Sequence, residues 1–562
     1  MSDGGLRVEA YGVGQRVASG RQTLRGVGVR IAPGELLAVA GGSGSGKTTL
    51  LEILAGIRTP SAGRVLHDGT EPAVLRPALG YLPHGNVMHD DLPLDRALGY
   101  AARLRMPART AAALLDAAVR DALAAVGLAD RARQPLRTLS EGERRRACIA
   151  VELLTRPRVL FLDEPTTGLD PATGAELLRT LRDLTADGVT VVLTTHAPAD
   201  LTRCDRVLFL TPEGRPAHLG TAATLTAAYG VPTLEEVYGA VARGARAADA
   251  AAAEETAAEE TGPAPEAAPV ADGAAATRPA PLGAVGQWWL LTRRAGELMA
   301  RNRLTAAVVV GSPLVIVAMF ALLFRPGAFD PAAPSPGSAA MILFWIAFGG
   351  FFFGLTYGLL QICAELAVVR RERLTVLRLG PYLLSKAALL LPVLALADAA
   401  LLAVLRGLNR LPAAGWGTYG SLFLTVLLAS AAALALGLLA SAAVGDPGQA
   451  TLMLPMLCFP QVLFSGAFVP VPQMAWAGRV LSAAMTNRWA FEALGGGIGL
   501  RELWAHGASP LGPPLLASYG GSFDRAVWAG WLLLAGFTAL FLAAAWAVLA
   551  RKCRTVSRPA VG

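Results

Sequence analysis

Only five cysteines occur in 562 residues, at Cys148, Cys204, Cys363, Cys458 and Cys553, far apart and with no CxxC pair. That pattern excludes an external disulfide framework. Charge is scarce too: 16% of residues are charged against 53% hydrophobic, outside the range of ordinary soluble domains and indicative of lipid as part of the solvent. The net charge of +8 comes without a cluster of Lys and Arg beside a reading element, so nucleic acid is not an expected partner. Membrane-flanking arginines account for the excess instead. Residues 1–14 lack an apolar run of signal-peptide length; no cleavable signal is expected, and insertion falls to internal segments.

Apolar length is unevenly distributed, and a chain of this size needs more than one core. Over residues 1–240, short β-rich runs at 36–40, 159–162 and 189–194 alternate with helical stretches, the pattern of an α/β domain with a mainly parallel sheet. Residues 241–285 are dominated by Ala, Glu and Pro, which offer too little apolar surface to offset ordering, so a flexible tether is expected. Residues 286–556 begin with an amphipathic stretch carrying Arg293, Arg294, Arg301 and Arg303. Six apolar segments follow near 304–324, 340–362, 385–405, 418–444, 449–470 and 526–550, each close to the ~20 residues that cross hydrocarbon. With six crossings, the arginines before the first segment, the loop bearing Arg370, Arg371, Arg373, Arg378 and Lys386, and the tail bearing Arg551, Lys552, Arg554 and Arg558 share one side. That side is expected to be cytoplasmic, with both termini and the N-terminal domain, in a multi-pass protein of the cytoplasmic membrane.

Gly41, Gly42, Ser43, Gly44, Ser45, Gly46, Lys47, Thr48 and Thr49 follow an apolar strand and open a helical run, the context of a phosphate-binding loop. There backbone N–H groups face phosphate, Lys47 reaches the β- and γ-phosphates of ATP, and the Thr48 hydroxyl ligates Mg²⁺. The run at 159–162 ends in Asp163 and Glu164, suited to holding the metal shell and to taking a proton from water, respectively. His196 closes a third apolar run, where an imidazole can reach a γ-phosphate.

The order of these motifs, with Leu139-Ser140-Glu141-Gly142-Glu143, Asp163-Glu164-Pro165, Thr167-Gly168-Leu169-Asp170 and His196, resembles the ABC ATPase family. The fold that resemblance implies is an α/β P-loop ABC ATPase domain followed by an all-α transmembrane domain of six helices. Arg144-Arg145-Arg146, the run from Glu152 to Pro157 and the ATPase-first order are similar to ABCG-type half-transporters. The resemblance implies ATP and Mg²⁺ as ligands and two nucleotides held between two copies, with the signature residues Ser140, Glu141, Gly142 and Glu143 facing the other copy's γ-phosphate and Asp170 in the D-loop. It also implies a homodimer, or a heterodimer with a related half, that exports a lipophilic or lipid-like molecule by alternating access. Glu365, Arg370, Arg371, Glu372 and Arg373 are similar to the family's charged coupling loop. A membrane-bound regulator with weak hydrolysis is the other class considered.

Three positions depart from the family pattern. His84 stands where the Q-loop has glutamine, Glu141 where the signature has glycine, and the stretch 12–23 offers no aromatic for adenine, leaving only the early Tyr11. Glu141 is expected to point away from phosphate or to pair with Arg144 or Arg145. Within the apolar segments, Asp398 is costly in hydrocarbon and reads as a cavity or cation site or as a neutralised acid. Gln361 and Gln461 join helices or line the same cavity, and the aromatic run 348–353 is expected to serve packing and lipid contact.

Overall fold

The computed structural model describes residues 4–16, 20–75, 79–85, 87–242 and 281–553. The expected tether at 241–285 therefore lies largely outside the described residues, as do Arg554 and Arg558. Two compact units emerge: one gathers the chain up to Gly283 together with Arg370–Leu377, the other Ala284–Val369 and Arg378–Cys553.

In the first unit, strands β1 (Val8–Arg16), β2 (Gln22–Ile31) and β4 (Ala62–His67) form an antiparallel sheet in the order β2-β1-β4. A six-stranded sheet joins β3 (Leu36–Gly41), β5 (Leu79–Leu82), β6 (Val159–Leu162), β7 (Thr190–Thr195), β8 (Arg206–Leu210) and β9 (Pro216–Gly220) in the order β5-β6-β7-β3-β8-β9. Five of these strands run parallel and β9 is antiparallel at the edge. Strands β3, β6 and β7 are buried at every position, as expected of parallel strands covered on both faces. Their apolar runs are therefore continuous rather than alternating. Tyr11 is buried within β1, which removes it as an exposed adenine platform.

The segment Arg370–Leu377 is held in this unit by charge. Glu152 sits at the end of helix α2 (Glu141–Leu153), with α1 being Lys47–Leu54. It receives Arg105 in a bidentate pair at 2.8 and 3.1 Å and the Nε of Arg371 at 3.0 Å. Side-chain exposures of 2%, 6% and 4% make this a buried triad. Arg371 also donates from Nη1 to the Val87 carbonyl at 3.0 Å. Burial alone raises the Glu152 carboxyl, but Arg105 and then Arg371 outweigh it and hold it below the ordinary carboxylate range. Its neighbour Arg370 is exposed, and Arg373 turns to the Leu377 carbonyl at 2.8 Å.

The second unit is helical. Helix α4 (Ala284–Arg301) precedes α5 (Arg303–Leu323), α6 (Pro336–Leu359), α7 (Leu379–Gly407), α8 (Trp416–Ala443), α9 (Pro447–Leu463), α10 (Thr486–Ile498) and α11 (Val527–Lys552), with α3 being Pro171–Ala186 in the first unit. Among the described residues, four helical stretches are long and apolar enough to cross a membrane: Pro336–Thr375, Leu379–Gly407, Trp416–Ala443 and Val527–Lys552. Helix α5 is 21 residues long, and the apolar stretch within its described residues is Gly311–Leu323. Helix α9 has 17 residues with Pro455 and Pro460 inside it and ends at Leu463, so the expected segment at 449–470 is helical only in its first part. The segment at 340–362 likewise stops short: after Leu359 the chain breaks into a 3₁₀ turn, where the Ser441 hydroxyl accepts from the N–H groups of Ile362 and Cys363, both at 3.0 Å.

Helices α6 and α8 touch backbone to backbone. A Cβ on Gly354 would lie 2.1 Å from the Ser430 carbonyl oxygen, and one on Gly358 2.6 Å from the Leu434 carbonyl oxygen. These residues, with Gly350, repeat every fourth position on one helix face, the small-residue seam by which helices approach closely where no hydrophobic effect drives them together. The aromatic run beside it supplies packing: Phe351 and Phe353 are fully buried.

Two consequences can be measured on the full chain in detergent by differential scanning calorimetry. Gly354→Ala forces apart a backbone contact and is expected to destabilise the helical unit by about 1–3 kcal/mol, whereas Gly536→Ala, with no atom within 4 Å of its Cβ position, leaves its transition in place. Glu152→Gln strands two buried guanidinium groups and is expected to cost about 3–5 kcal/mol. Asp121→Asn, which loosens the exposed pair with Arg156, should change little. Because the folded Glu152 carboxyl is depressed, its contribution is present above the ordinary carboxylate pKa of about 4.3. It is lost as pH falls through the folded value, so the gap between native and Glu152→Gln narrows in acid. Equal transitions for Glu152→Gln and Asp121→Asn at neutral pH would rule out a structural role for the triad.

Candidate functional site

The C-terminal edge of the parallel sheet gathers the phosphate-loop residues. Strand β3 ends at Gly41, and helix α1 begins at Lys47 after Gly46, whose φ of 93° lies in the left-handed region that favours glycine. The loop thus leads into the start of α1, where an anion is favoured. The Lys47 ammonium is buried and donates to the carbonyls of Gly41 and Gly42, both at 2.9 Å. Burial lowers the Lys47 pKa, opposed by the charges of Glu164 and Asp163. Ser45 is fully buried, and its hydroxyl finds no hydrogen-bond partner, an orphan that a phosphate oxygen would satisfy. Ser43 and Gly44 form the exposed crest of the loop, and Thr49 lies in the first turn of α1.

Asp163 joins three elements at this edge. Its Oδ1 accepts from the Thr48 hydroxyl of α1 at 3.1 Å and from the Thr194 hydroxyl of β7 at 2.6 Å, while its own N–H donates to the Leu82 carbonyl of β5 at 2.9 Å. The next residue, Glu164, has a φ of 46° and donates its N–H to the Thr194 hydroxyl at 2.8 Å. Its Oε2 accepts from the Thr167 hydroxyl at 3.0 Å and lies 3.3 Å from His196 Nδ1 and 3.8 Å from His84 Nδ1. Burial pushes the Glu164 carboxyl up, but the Thr167 hydroxyl, the His196 ring and the Lys47 charge outweigh it and hold it below the ordinary range. His196 is set by the turn after β7, where the Thr195 and Thr166 hydroxyls both donate to Asp200 Oδ2 at 2.6 Å. The arrangement thus brings Lys47, Thr48, Asp163, Glu164, His196 and His84 together. Thr167, Thr194 and Asp200 also belong to it; the sequence showed them only as motif neighbours without a role.

The signature residues form a helix start. Ser140 caps α2 in a reciprocal box: its hydroxyl accepts from the Glu143 N–H at 3.3 Å, and the Glu143 carboxylate accepts from the Ser140 N–H at 2.9 Å. Those bonds, with Arg131 at 3.3 Å, occupy Glu143, while Gly142 is buried. Glu141 is exposed and pairs with neither expected arginine: Arg144 bonds the carbonyls of Leu139 and Arg137, and Arg145 that of Gly85. Asp170 caps α3 through the N–H groups of Ala172 and Thr173 and the Thr173 hydroxyl.

In the helical unit the polar residues disperse. Asp398 on α7 is fully buried, with Oδ2 accepting from the Ser430 hydroxyl at 2.8 Å and Oδ1 without a partner. Gln461 on α9 accepts at Oε1 from the Asn487 N–H at 2.9 Å and the Thr486 hydroxyl at 3.3 Å, fastening the start of α10. Gln361 falls beyond the end of α6. Glu365 receives Lys386 at 2.8 Å and the Tyr382 hydroxyl at 3.2 Å.

Comparison with known proteins matches both parts of the chain. The ABC transporter family matches residues 24–167, and the ABC-2 type transporter family matches residues 286–498. An ABC transporter ATP-binding/permease protein of Mycobacterium tuberculosis is 30% identical over 89% of this chain and 58% of its own length. ABC transporter G family member 7 of Arabidopsis thaliana is 29% identical over 84% of this chain and 70% of its own length. A daunorubicin resistance ATP-binding protein of Streptomyces coeruleorubidus is 36% identical over 39% of this chain and 69% of its own length. The chain thus spans somewhat more than half the length of the mycobacterial relative. With the nucleotide-binding domain ahead of a multi-pass membrane domain, the chain belongs to the ABC transporter family and has the domain order of its ABCG-like half-transporters.

Proposed function

We propose that this chain is one half of an ATP-hydrolysing exporter, completed by a second copy of itself. The observation that carries the reading is the Glu164 carboxylate held at the sheet edge beside Lys47, Thr48 and Asp163, above a loop whose buried Ser45 hydroxyl is unsatisfied. ATP binds with its β- and γ-phosphates on the loop and on Lys47. Thr48 and Asp163 suit Mg²⁺: both present oxygen, and this ion takes one or two protein oxygens with phosphate and water. No group of three or more His, Cys, Asp or Glu among the described residues offers a closed metal cage. The bound ion would screen phosphate charge, while Glu164 accepts a proton from the attacking water and His196 faces the γ-phosphate.

Transport follows if nucleotide-driven closure of two copies alternates the access of a lipophilic substrate. Arg371 supports the link: it lies in a segment flanked in the chain by membrane-unit helices, yet is anchored on Glu152 and on the loop after His84. Asp398 and Gln461 serve helix packing in this reading, through Ser430 and through Thr486 and Asn487. The arginine-rich loops support a reading in which the ATPase domain lies on the cytoplasmic side of the cytoplasmic membrane. The exposed Glu141 favours a second arrangement, a heterodimer with a half bearing glycine there, because a carboxylate opposite phosphate is repelled. Co-purification of two differently tagged copies separates the two.

The deciding assay is vanadate-sensitive ATP turnover in lipid nanodiscs. Glu164→Gln is expected to lower turnover by about 10²–10⁴-fold while retaining ATP, and Lys47→Ala to lose ATP binding. Native turnover no higher than that of Glu164→Gln would sink the self-completing motor.

A further inference from the structure

We propose that Thr167 is a positioning residue of the hydrolytic site: its hydroxyl locks one oxygen of the Glu164 carboxylate, so that the other alone is free to take the proton of the attacking water. The proposal rests on the reading of Glu164 as general base.

Thr167 follows Glu164 by three residues in a turn closed by its own N–H on the Glu164 carbonyl at 3.3 Å. Across that turn its hydroxyl donates to Glu164 Oε2 at 3.0 Å, and His196 Nδ1 stands 3.3 Å from the same oxygen. A carboxylate oxygen has two lone pairs. The Thr167 O–H and, in the tautomer protonated at Nδ1, the His196 N–H fill both on Oε2. Among the described residues no donor reaches Oε1. In hydrolysis the water oxygen bonds to the γ-phosphorus, the bond to the β–γ bridging oxygen breaks, ADP leaves with the electron pair, and Glu164 gains the proton. Only Oε1 has lone pairs open for that transfer.

The backbone makes such a lock necessary. Glu164 has a φ of 46°, in the left-handed region that non-glycine residues rarely occupy. Its N–H is pinned to Thr194, which is in turn fixed to Asp163. Those bonds set where the side chain leaves the main chain, but not its outer torsions. Without the Thr167 hydroxyl, the carboxylate is free to swing toward the Lys47 ammonium, whose charge acts on it, and away from the water it must deprotonate. Thr167 itself is half-buried and touches Glu164 from the D-loop side, so the same hydroxyl also ties the position of that loop to the orientation of the base.

The test uses the full chain in nanodiscs, with native, Thr167→Val, Thr167→Ser and Glu164→Gln compared for kcat, KM for ATP and direct binding of a fluorescent ATP analogue. Thr167→Val, nearly isosteric but without a donor, is expected to lower kcat about ten- to a hundredfold with KM and analogue binding within about twofold of native. Thr167→Ser, which restores the hydroxyl, should recover kcat to within about threefold of native. Thr167→Ala replaces the valine variant should the latter not purify as an assembled protein. If Thr167→Val turns over like the native chain, or if valine and serine variants lose kcat and analogue binding together, the positioning role is overturned. Undiminished turnover in Glu164→Gln would instead remove the general-base reading itself, an outcome separate from either Thr167 result.

Discussion

One carboxylate, that of Asp163, holds the nucleotide site in register. It ends the fully buried strand β6 and binds through a single oxygen the first turn of α1 and the end of β7, while its N–H ties it to β5. Parallel strands end together at their carboxyl edge, so residues from three strands and one helix meet there without any long loop. A buried carboxylate with several hydrogen-bond donors is far less costly than one without, and the two threonine hydroxyls, from distant parts of the chain, supply them. The placement of Glu164 and His196 depends on that convergence, since Glu164 follows Asp163 directly and His196 stands two residues after Thr194, while the phosphate loop is tied to it through Thr48 in the first turn of α1.

The helical unit answers a different constraint. Apolar side chains gain nothing from leaving lipid, so close approach must come from shape. Gly350, Gly354 and Gly358 let α6 meet the backbone of α8, and the Ser430 hydroxyl at that contact also satisfies one oxygen of Asp398. Small residues and one buried hydrogen bond thus cooperate at a single place. The N–H groups freed where α6 ends are met in the same manner, by the Ser441 hydroxyl of α8.

What was legible in the sequence follows from range. The phosphate loop is nine consecutive residues between a strand and a helix, and the carboxylate pair ends an apolar run, so both announced themselves locally. Hydropathy marked the apolar segments, but not the stop of α9 at Leu463 or of α6 at Leu359; the latter depends on Ser441, a partner from another helix. Arg371 was visible as part of a charged loop, yet its partner Glu152 lies 219 residues away, beyond any local pattern. The glycine repeat of α6 was in plain view and was eclipsed by the phenylalanines interleaved with it. Thr167 was hidden for a subtler reason: it was part of a recognised motif, and a motif gives a residue a place without saying which atom it touches.

The two departures from the family pattern at the nucleotide site also become intelligible once frame and side chain are separated. The loop bearing His84 is fixed by its carbonyls, Gly85 to Arg145 and Val87 to Arg371, and the signature turn by the reciprocal bonds of Ser140 and Glu143. Neither frame uses the side chain of residue 84 or 141, and both side chains are exposed. A histidine and a glutamate can therefore stand at these positions without disturbing the backbone that positions Lys47, Asp163 and Glu164. Their consequences are confined to charge: an imidazole 3.8 Å from the Glu164 carboxylate, and an added carboxylate at a helix start whose other acid is already engaged. Such changes leave the backbone of the site intact while altering the charge it presents.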